Sequence, residues 1–564
     1  MIILRVSEST RLEGDGIMRA RHSSLGQALF QLDRNVNPLS FLAGVELEEA
    51  GEKWRAGDAA KSMRFFMKAI ANYDEGLQKH PGAFDLAYNK YVSPQTTIES
   101  SITATKPLIY ITRLFGLSSS QDSQSHTISW SQELTHSCRA RVQYEITQHP
   151  KLAAQLPAPQ AELLEVALQS HRDALYLEQD NADALFNSGQ VLNSLAEALT
   201  ESKHPGEDQI IQASTYLQEA VELFQRCLAL QEMKFTEMEE QMMQMEAGEM
   251  DSQEPVSEPA VPPAESPSAE GEAADGEPQE QWAAIVEPVT KNTLVDTAVA
   301  QLDTLTTLCN LLTFNPGAGG VGWVQEYSAE LVETRLPAYV EGSERRYEAA
   351  LARGKFICAL HDVLYRGGHT DARTYQQEVS RAFGPDLDLS NDPEGLCSKA
   401  EALTSLNGAL AEIPPTEDDE NFKFSTTTRW QSLSAALDAL TAASKLPNAD
   451  NLPKIHLARG DAEMQRWRLG RAPWAHAMAA QNGPTLLRNA QTYYRGAAAL
   501  ARRDGDAELQ RDGTCKEAIA AALEGQSTKL DQIKTTSFDQ LMAVAQDMVE
   551  DGMVEPTEMS ALIS

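Results

Sequence analysis

The chain has 564 residues, with 47 Lys and Arg against 82 Asp and Glu, a formal net charge of −35 and an isoelectric point near 4.7. That balance excludes a protein that holds nucleic acid by charge, because a phosphate backbone needs a basic patch. With 42% hydrophobic residues the chain can bury real cores, and at about 150 residues per domain its length corresponds to roughly two to four domains.

Six cysteines, Cys138, Cys227, Cys309, Cys358, Cys397 and Cys515, stand singly with no CxxC pair, which fits buried thiols in a reducing compartment better than a metal or redox site. The opening MIILRVSESTRLEGDG has too short an apolar run for a signal-peptide core, and no 18 apolar residues run together. The expectation is a soluble protein without a membrane partner, cytoplasmic and/or nuclear. Ala, Leu, Glu and Gln dominate outside the linkers, aromatics are only 6%, and β-branched alternation is scarce, so helix is expected nearly everywhere.

Residues 1–36 are an N-terminal extension, and residues 37–232 a first helical block. Within it Ser62, Phe66 and Ala69 place a small residue, an aromatic and a small residue at i, i+4 and i+7, on one helix face. A small residue where two antiparallel helices approach, with an aromatic one turn later, is how a helical hairpin packs. The spacing recurs at Ala167, His171 and Ala174, at Ala220, Phe224 and Cys227, at Ala436, Leu440 and Ala443, and at Ala490, Tyr494 and Ala497. Leu185, Gly189 and Leu192 supply the complementary face of a first helix.

A repeating helix pair with these positions resembles the tetratricopeptide repeat. The resemblance is best over residues 57–231 and degenerate over 291–525, where Lys445 to Asp450 imitates an inter-repeat turn and Gly460 a small first-helix residue. It implies an all-α solenoid of antiparallel helix pairs in two blocks, with a groove lined by first helices. Asn89, Asn187 and Gln190 are the candidate groove residues, polar groups available to a peptide backbone. Asn89 and Asn187 also occupy the position of one clamp asparagine in repeats that hold a chaperone's C-terminal tail, but no accompanying Lys and Arg can be placed.

Tyr91 to Arg139 interrupts the first block with Ser-, Thr- and Gln-rich sequence lacking helical period. Joining Lys90 to Ala140 gives Asp85-Leu86-Ala87-Tyr88-Asn89-Lys90-Ala140-Arg141-Val142, which aligns with Asp183 to Val191 and restores a first helix. Lys90-Tyr91-Val92 can encode the splice donor GTATGT, Leu134-Thr135 a branch-point CTGAC, and Cys138-Arg139 an acceptor CAG in the restoring phase. The stretch is therefore a candidate unspliced intron, the alternative being a genuine disordered loop.

Residues 233–290 form an acidic Pro/Ala/Glu linker in which fifteen Asp and Glu lie between Lys234 and Lys291 without a single Lys or Arg. Its start, with Met238, Met242, Met243 and Met245, should extend the preceding helix, while Asp251 to Gln281 cannot bury enough apolar surface to fold. Residues 526–564 are a C-terminal helical tail. Asn315 to Trp323 imitates a phosphate loop, yet it follows a helix and lacks the Lys-Ser or Lys-Thr ending, so a helix stop is expected. The eleven His are scattered, and His171 sits where the repeat packs an aromatic, which favours a core histidine over a base. No cofactor or metal is expected, and the function is a non-enzymatic adaptor binding a protein or peptide in the groove. The alternative is an acidic assembly chaperone for a basic client such as a histone or ribosomal protein, an analogy of layout alone.

Overall fold

The computed structural model describes residues 39–55, 57–79, 110–113, 139–153, 155–156, 158–202, 204–251, 282–285, 288–314, 320–413 and 420–564. Asn89 and Lys90, most of 91–139, residues 252–281 and the Gly-rich 315–319 fall outside that range, and with them the restored first helix, the expected disorder and the helix stop. Among the described residues the fold is a succession of antiparallel helices. It opens with α1 (Leu39–Arg55) and α2 (Ala59–Lys79), α3 (residues 139–148), α4 (Pro150–Ala153) and α5 (Gln160–Leu177), then α6 (Ala182–Leu199) and α7 (Glu207–Asp251). It continues with α8 (Lys291–Leu312), α9 (Gly320–Glu330) leading through a π-helical turn, Leu331–Arg335, into α10 (Leu336–Val340), then α11 (Arg346–Arg366), α12 (Ala372–Ala382), α13 (Pro393–Glu412) and α14 (Glu420–Ala443). The last elements are α15 (Leu452–Arg468), α16 (Ala477–Gln481), α17 (Gly483–Asp504), α18 (Ala507–Leu523), α19 (Thr528–Thr536), α20 (Phe538–Glu550) and α21 (Pro556–Ile563). Two four-residue strands, β1 (Tyr110–Arg113) and β2 (Trp282–Ile285), pair antiparallel with Tyr110 opposite Ile285.

Local chemistry fixes where helices begin. Asn181 accepts from the amides of Asp183 and Ala184, Asp371 from Arg373 and Thr374, Asp392 from Glu394 and Asp506 from Leu509, each satisfying donors that a helix start leaves open. Thr290 and Thr293 close a reciprocal cap at the start of α8. Gly505, at φ +81°, ends α17 in the left-handed conformation that a side chain would resist.

The core runs across the long acidic stretch of sequence. Leu217, Val221 and Leu228 of α7 share one cluster with Leu294, Val295, Leu302 and Leu305 of α8. Thr297 donates to Gln231 at 2.8 Å and Tyr339 bonds Glu232, so α8 seats directly on α7. The C-terminal residues likewise join a core: Leu530, Leu541, Met548, Met553 and Met559 pack with Trp467, Tyr494 and Ile519. His204, between α6 and α7, meets Glu550 of α20 at 2.6 Å. None of the described helices is long and apolar enough to cross a membrane.

Candidate interaction face

All fifteen positions of the small–aromatic–small series are buried, fourteen of them at 0% exposure and Leu440 at 2%. What they cover differs. A Cβ added to Gly189 of α6 would stand 2.7 Å from Cζ of Phe224 in α7, so the ring lies directly on the bare backbone. Gly460 of α15 sits under Tyr494 of α17 in the same way, with Cδ1 at 2.5 Å, and Gly51 of α1 under Phe66 of α2 at 2.8 Å. In α1–α2 the device occurs twice, since Gly44 lies under Tyr73 at 2.5 Å. Backbone approaches this close are possible only where no side chain intervenes.

The smaller partners tie the same crossings with polar bonds. Ser62 Oγ donates to the Gly51 carbonyl at 2.7 Å, and the Cys227 thiol to the Ala182 carbonyl at 3.2 Å. Phe186 meets Phe224 edge-on, with centroids 5.5 Å apart, which boxes the ring in place. Leu440 has no glycine beneath it among the described residues; it packs with Leu406, Leu410 and Ala439. Leu185 and Gly189 are buried in α6.

His171 of α5 is fully buried, neither ring nitrogen has a hydrogen-bond partner, and burial, with the Arg141 charge adding to it, pushes its pKa down to about 3. It is a neutral core group. Ala140, at the α3 position matching Gly189, is also fully buried. Ser170 of α5 donates to Gln143 of α3 at 2.9 Å, so α3 and α5 are neighbours. α3 also holds α1 and α2 through Arg141 with Glu48, Arg55 with Glu145 and Arg139 with Asp74.

Asn187 and Gln190 are half-buried on α6 and their side chains have no hydrogen-bond partner among the described residues. Gln190 contributes only its carbonyl, which accepts weakly from Tyr144 at 3.5 Å. Both amides are thus available to a ligand. Asn89 lies outside the described residues.

A second polar face, which sequence reasoning missed, lies in the C-terminal half. The half-exposed positions of α15 are Leu452, Lys454, His456, Ala458, Arg459 and Arg466; the rest of the helix is buried. Arg459 stacks over Tyr493 of α17 at 4.0 Å, and His456 meets the same ring edge-on at 6.4 Å. Arg466 stacks over Trp430 of α14 at 4.3 Å, and His476 lies on that indole at 4.8 Å. Arg466 also bonds Glu463, which takes a second hydrogen bond from Asn489, both at 2.9 Å. Just behind, Arg429 is 3% exposed, stacks on Trp474 at 4.2 Å and has Asn407 as its polar partner, its Nη1 having none. Burial, with Arg468 adding to it, pushes its pKa down to about 9.

Deeper in the same half, Lys516 reaches Asp461 at 3.1 Å and Tyr494 donates to Asp461 at 2.8 Å, all three buried. This is a charge pair knitting α15, α17 and α18. His204, Asp547 and Glu550 bring ligand atoms within 4.8 Å of one another, on a largely exposed surface where the His204–Glu550 ion pair accounts for the approach. The five described cysteines are buried and free, with burial raising their thiol pKa values, the opposite of what a nucleophile needs.

No family model matches the chain. Over 50 residues, 9% of its length, the chain is 40% identical to the UPF0656 protein C926.02 of Schizosaccharomyces pombe, and it spans 11% of that protein. Among solved structures, a circular tandem repeat protein with novel repeat topology and enhanced subunit contact surfaces aligns over 93% of this chain and 98% of its own, at 12% identity and a TM-score of 0.27. Agreement at that level carries neither fold detail nor function across.

Proposed function

We infer that the protein is a non-enzymatic adaptor of tetratricopeptide type, which holds a protein or peptide partner along the first helices of its hairpins. The observation that carries this reading is the glycine-under-aromatic crossing repeated at Gly51–Phe66, Gly189–Phe224 and Gly460–Tyr494. Stacked hairpins of one geometry curve and leave their first helices lining a continuous face, a surface suited to an extended or helical ligand. Asn187 and Gln190, with side chains unengaged by the fold, offer amide donors and acceptors there. The test is affinity capture of partners by the full-length protein and by Asn187→Ala, whose helix content should be unchanged. Weaker partner recovery with intact helicity supports the groove; unchanged recovery counts against it.

A second reading rests on a separate feature, the fifteen acidic residues between Lys234 and Lys291 unopposed by any base. Such a tract would attract a basic client at long range and lose its pull as salt rises, because exposed charges are screened beyond about 8 Å at physiological ionic strength. Deleting residues 251–281 should then slow association with a basic client.

A further inference from the structure

The chain is strongly acidic, yet residues 451–503 carry nine Lys and Arg against two acidic residues, Asp461 and Glu463. Both acids are buried and engaged by the fold. The cations are not spread at random. α15 is flanked by α14 and α17, which bury most of its circumference. The stripe left to solvent includes His456, Arg459 and Arg466, and on a helix these three fall within about a quarter turn of one another.

Each cation lies on an aromatic plate, Arg459 on Tyr493 and Arg466 on Trp430. Orphan polar atoms gather here as well: Nε of Arg459, Nε of Arg466, Nδ1 of His456, Nδ1 of His476 and, behind them, Nη1 of Arg429 are buried without a partner. Arg459 has no ion pair within 4.0 Å among the described residues, the Glu463 carboxylate acting on it only from farther off, and no carboxylate lies against Arg429. The carboxylate of Glu463 shares this face, but Arg466 and Asn489 cover it. A buried guanidinium without a counter-ion, as at Arg429, is costly to keep, and half-exposed Arg459 and Arg466 on stacked aromatics in front of it leave the local balance of charge cationic, which favours an anion.

We propose that the α15 face formed by His456, Arg459 and Arg466, floored by Tyr493 and Trp430, docks an acidic, proline-containing internal segment of a partner protein. This deepens the adaptor reading and rests on it. Arg459 and Arg466 are seven residues apart, about 10 Å along the helix at 1.5 Å per residue. A polyproline II strand returns every third side chain to the same side after about 9.3 Å, so acidic residues at every third position place one carboxylate at each guanidinium. Each guanidinium donates to a carboxylate through the N–H groups that the fold leaves free, and prolines between them pack along the half-exposed parts of Tyr493 and Trp430 that the cations leave uncovered. The net charge of the whole chain opposes an acidic ligand only at long range, where physiological salt screens it.

The probe is a fluorescein-labelled, C-terminally amidated peptide of four Glu-Pro-Pro units, titrated by anisotropy against the full-length protein. Peptides with Gln or Lys in place of Glu, and a dT12 oligonucleotide, are run beside it. The Glu peptide should bind at least about tenfold more tightly than the Gln peptide, with no binding of the Lys peptide or of dT12. Arg459→Gln should weaken it about tenfold and Arg459→Lys less, while Arg502→Gln, the same charge removed from an exposed site on α17, should change it less than twofold. Thermal unfolding by circular dichroism accompanies each variant, since Arg459 has no ion pair to lose.

Equal binding of the Glu and Gln peptides overturns the acidic class and leaves the groove standing. Binding of dT12 that competes with the Glu peptide overturns the protein partner. Binding seen only after residues 251–281 are deleted assigns the face to the chain's own acidic stretch and overturns a separate partner. Failure of the Glu peptide to bind overturns this proposal, whereas partner capture through Asn187 tests the adaptor reading independently.

Discussion

Gly189→Ala is the most informative single change, because two physical effects oppose each other and the structure decides which wins. Alanine in place of glycine inside a helix ordinarily stabilises it by about 0.8–1.0 kcal/mol. Here the new Cβ would meet three ring atoms of Phe224, at 2.7, 2.8 and 2.9 Å, where carbon pairs rest at roughly 3.5–4.0 Å. Phe224 is fully buried and braced by Phe186, so the ring cannot swing away and the hairpin must open. Overpacking of this kind costs about 1–3 kcal/mol, so after the helix gain the net loss is about 0–2 kcal/mol, toward the upper end because all three contacts fall below 3.0 Å on a ring that cannot move. A chain of this size does not unfold in two states, so the readout is hydrogen exchange of α6 and α7 amides, which reports the local opening free energy. Gly322 of α9 has nothing within 4 Å of an added Cβ, and Gly322→Ala should stabilise its own helix. In a Phe224→Ala background, itself costing about 3–5 kcal/mol, Gly189→Ala should become favourable, which exposes the coupling directly. If Gly189→Ala in the wild-type chain slows exchange in α6 and α7, the close crossing is not what holds this hairpin.

Other expectations follow from the buried groups. His171 has its folded-state pKa depressed from 6.5 to about 3, so the unfolded chain binds the extra proton between those values. Stability is then full above pH 6.5 and falls by about 1.4 kcal/mol per pH unit as pH drops toward 3, or about 2 kcal/mol by pH 5. Hydrogen exchange in α5 should show this slope, and His171→Phe should flatten it. Lys516→Met strands the Asp461 carboxylate with Tyr494 alone and should cost about 3–5 kcal/mol in α15–α18, while adding Asp461→Leu should recover most of the loss, measured by the same exchange. Transcript sequencing across codons 85–145 should find a major form that lacks the codons for 91–139 and joins Lys90 to Ala140; a major form that keeps them would make the segment genuine.

The second helices of the hairpins were legible because a small residue, an aromatic and a small residue at i, i+4 and i+7 need only local spacing. Their glycine partners in α1 were not found from it. In an antiparallel hairpin, facing positions have numbers with a constant sum, and 44 with 73 and 51 with 66 satisfy that, a signal available in the sequence. Leu440 matched the spacing without covering a glycine, since aliphatic residues at helical intervals also fill ordinary cores. The seating of α8 on α7 was hidden because the elements that touch are separated by the long acidic stretch, and local periodicity carries no information about such pairs. The α15 face was hidden by the net charge of −35, which masks a local excess of cations. Nothing in the spacing of Arg459 and Arg466 foretells that Tyr493 and Trp430, from two other helices, lie beneath them.

Site-directed photocrosslinking tests the central claim, that partners sit on the first-helix face, most directly. A benzophenone amino acid is placed at Gln190, half-exposed on α6, and separately at Gln225, exposed on α7, in the full-length protein within cells. The account predicts that illumination joins partner peptides to position 190 and leaves position 225 unlinked. Capture at 225 with none at 190 would contradict it.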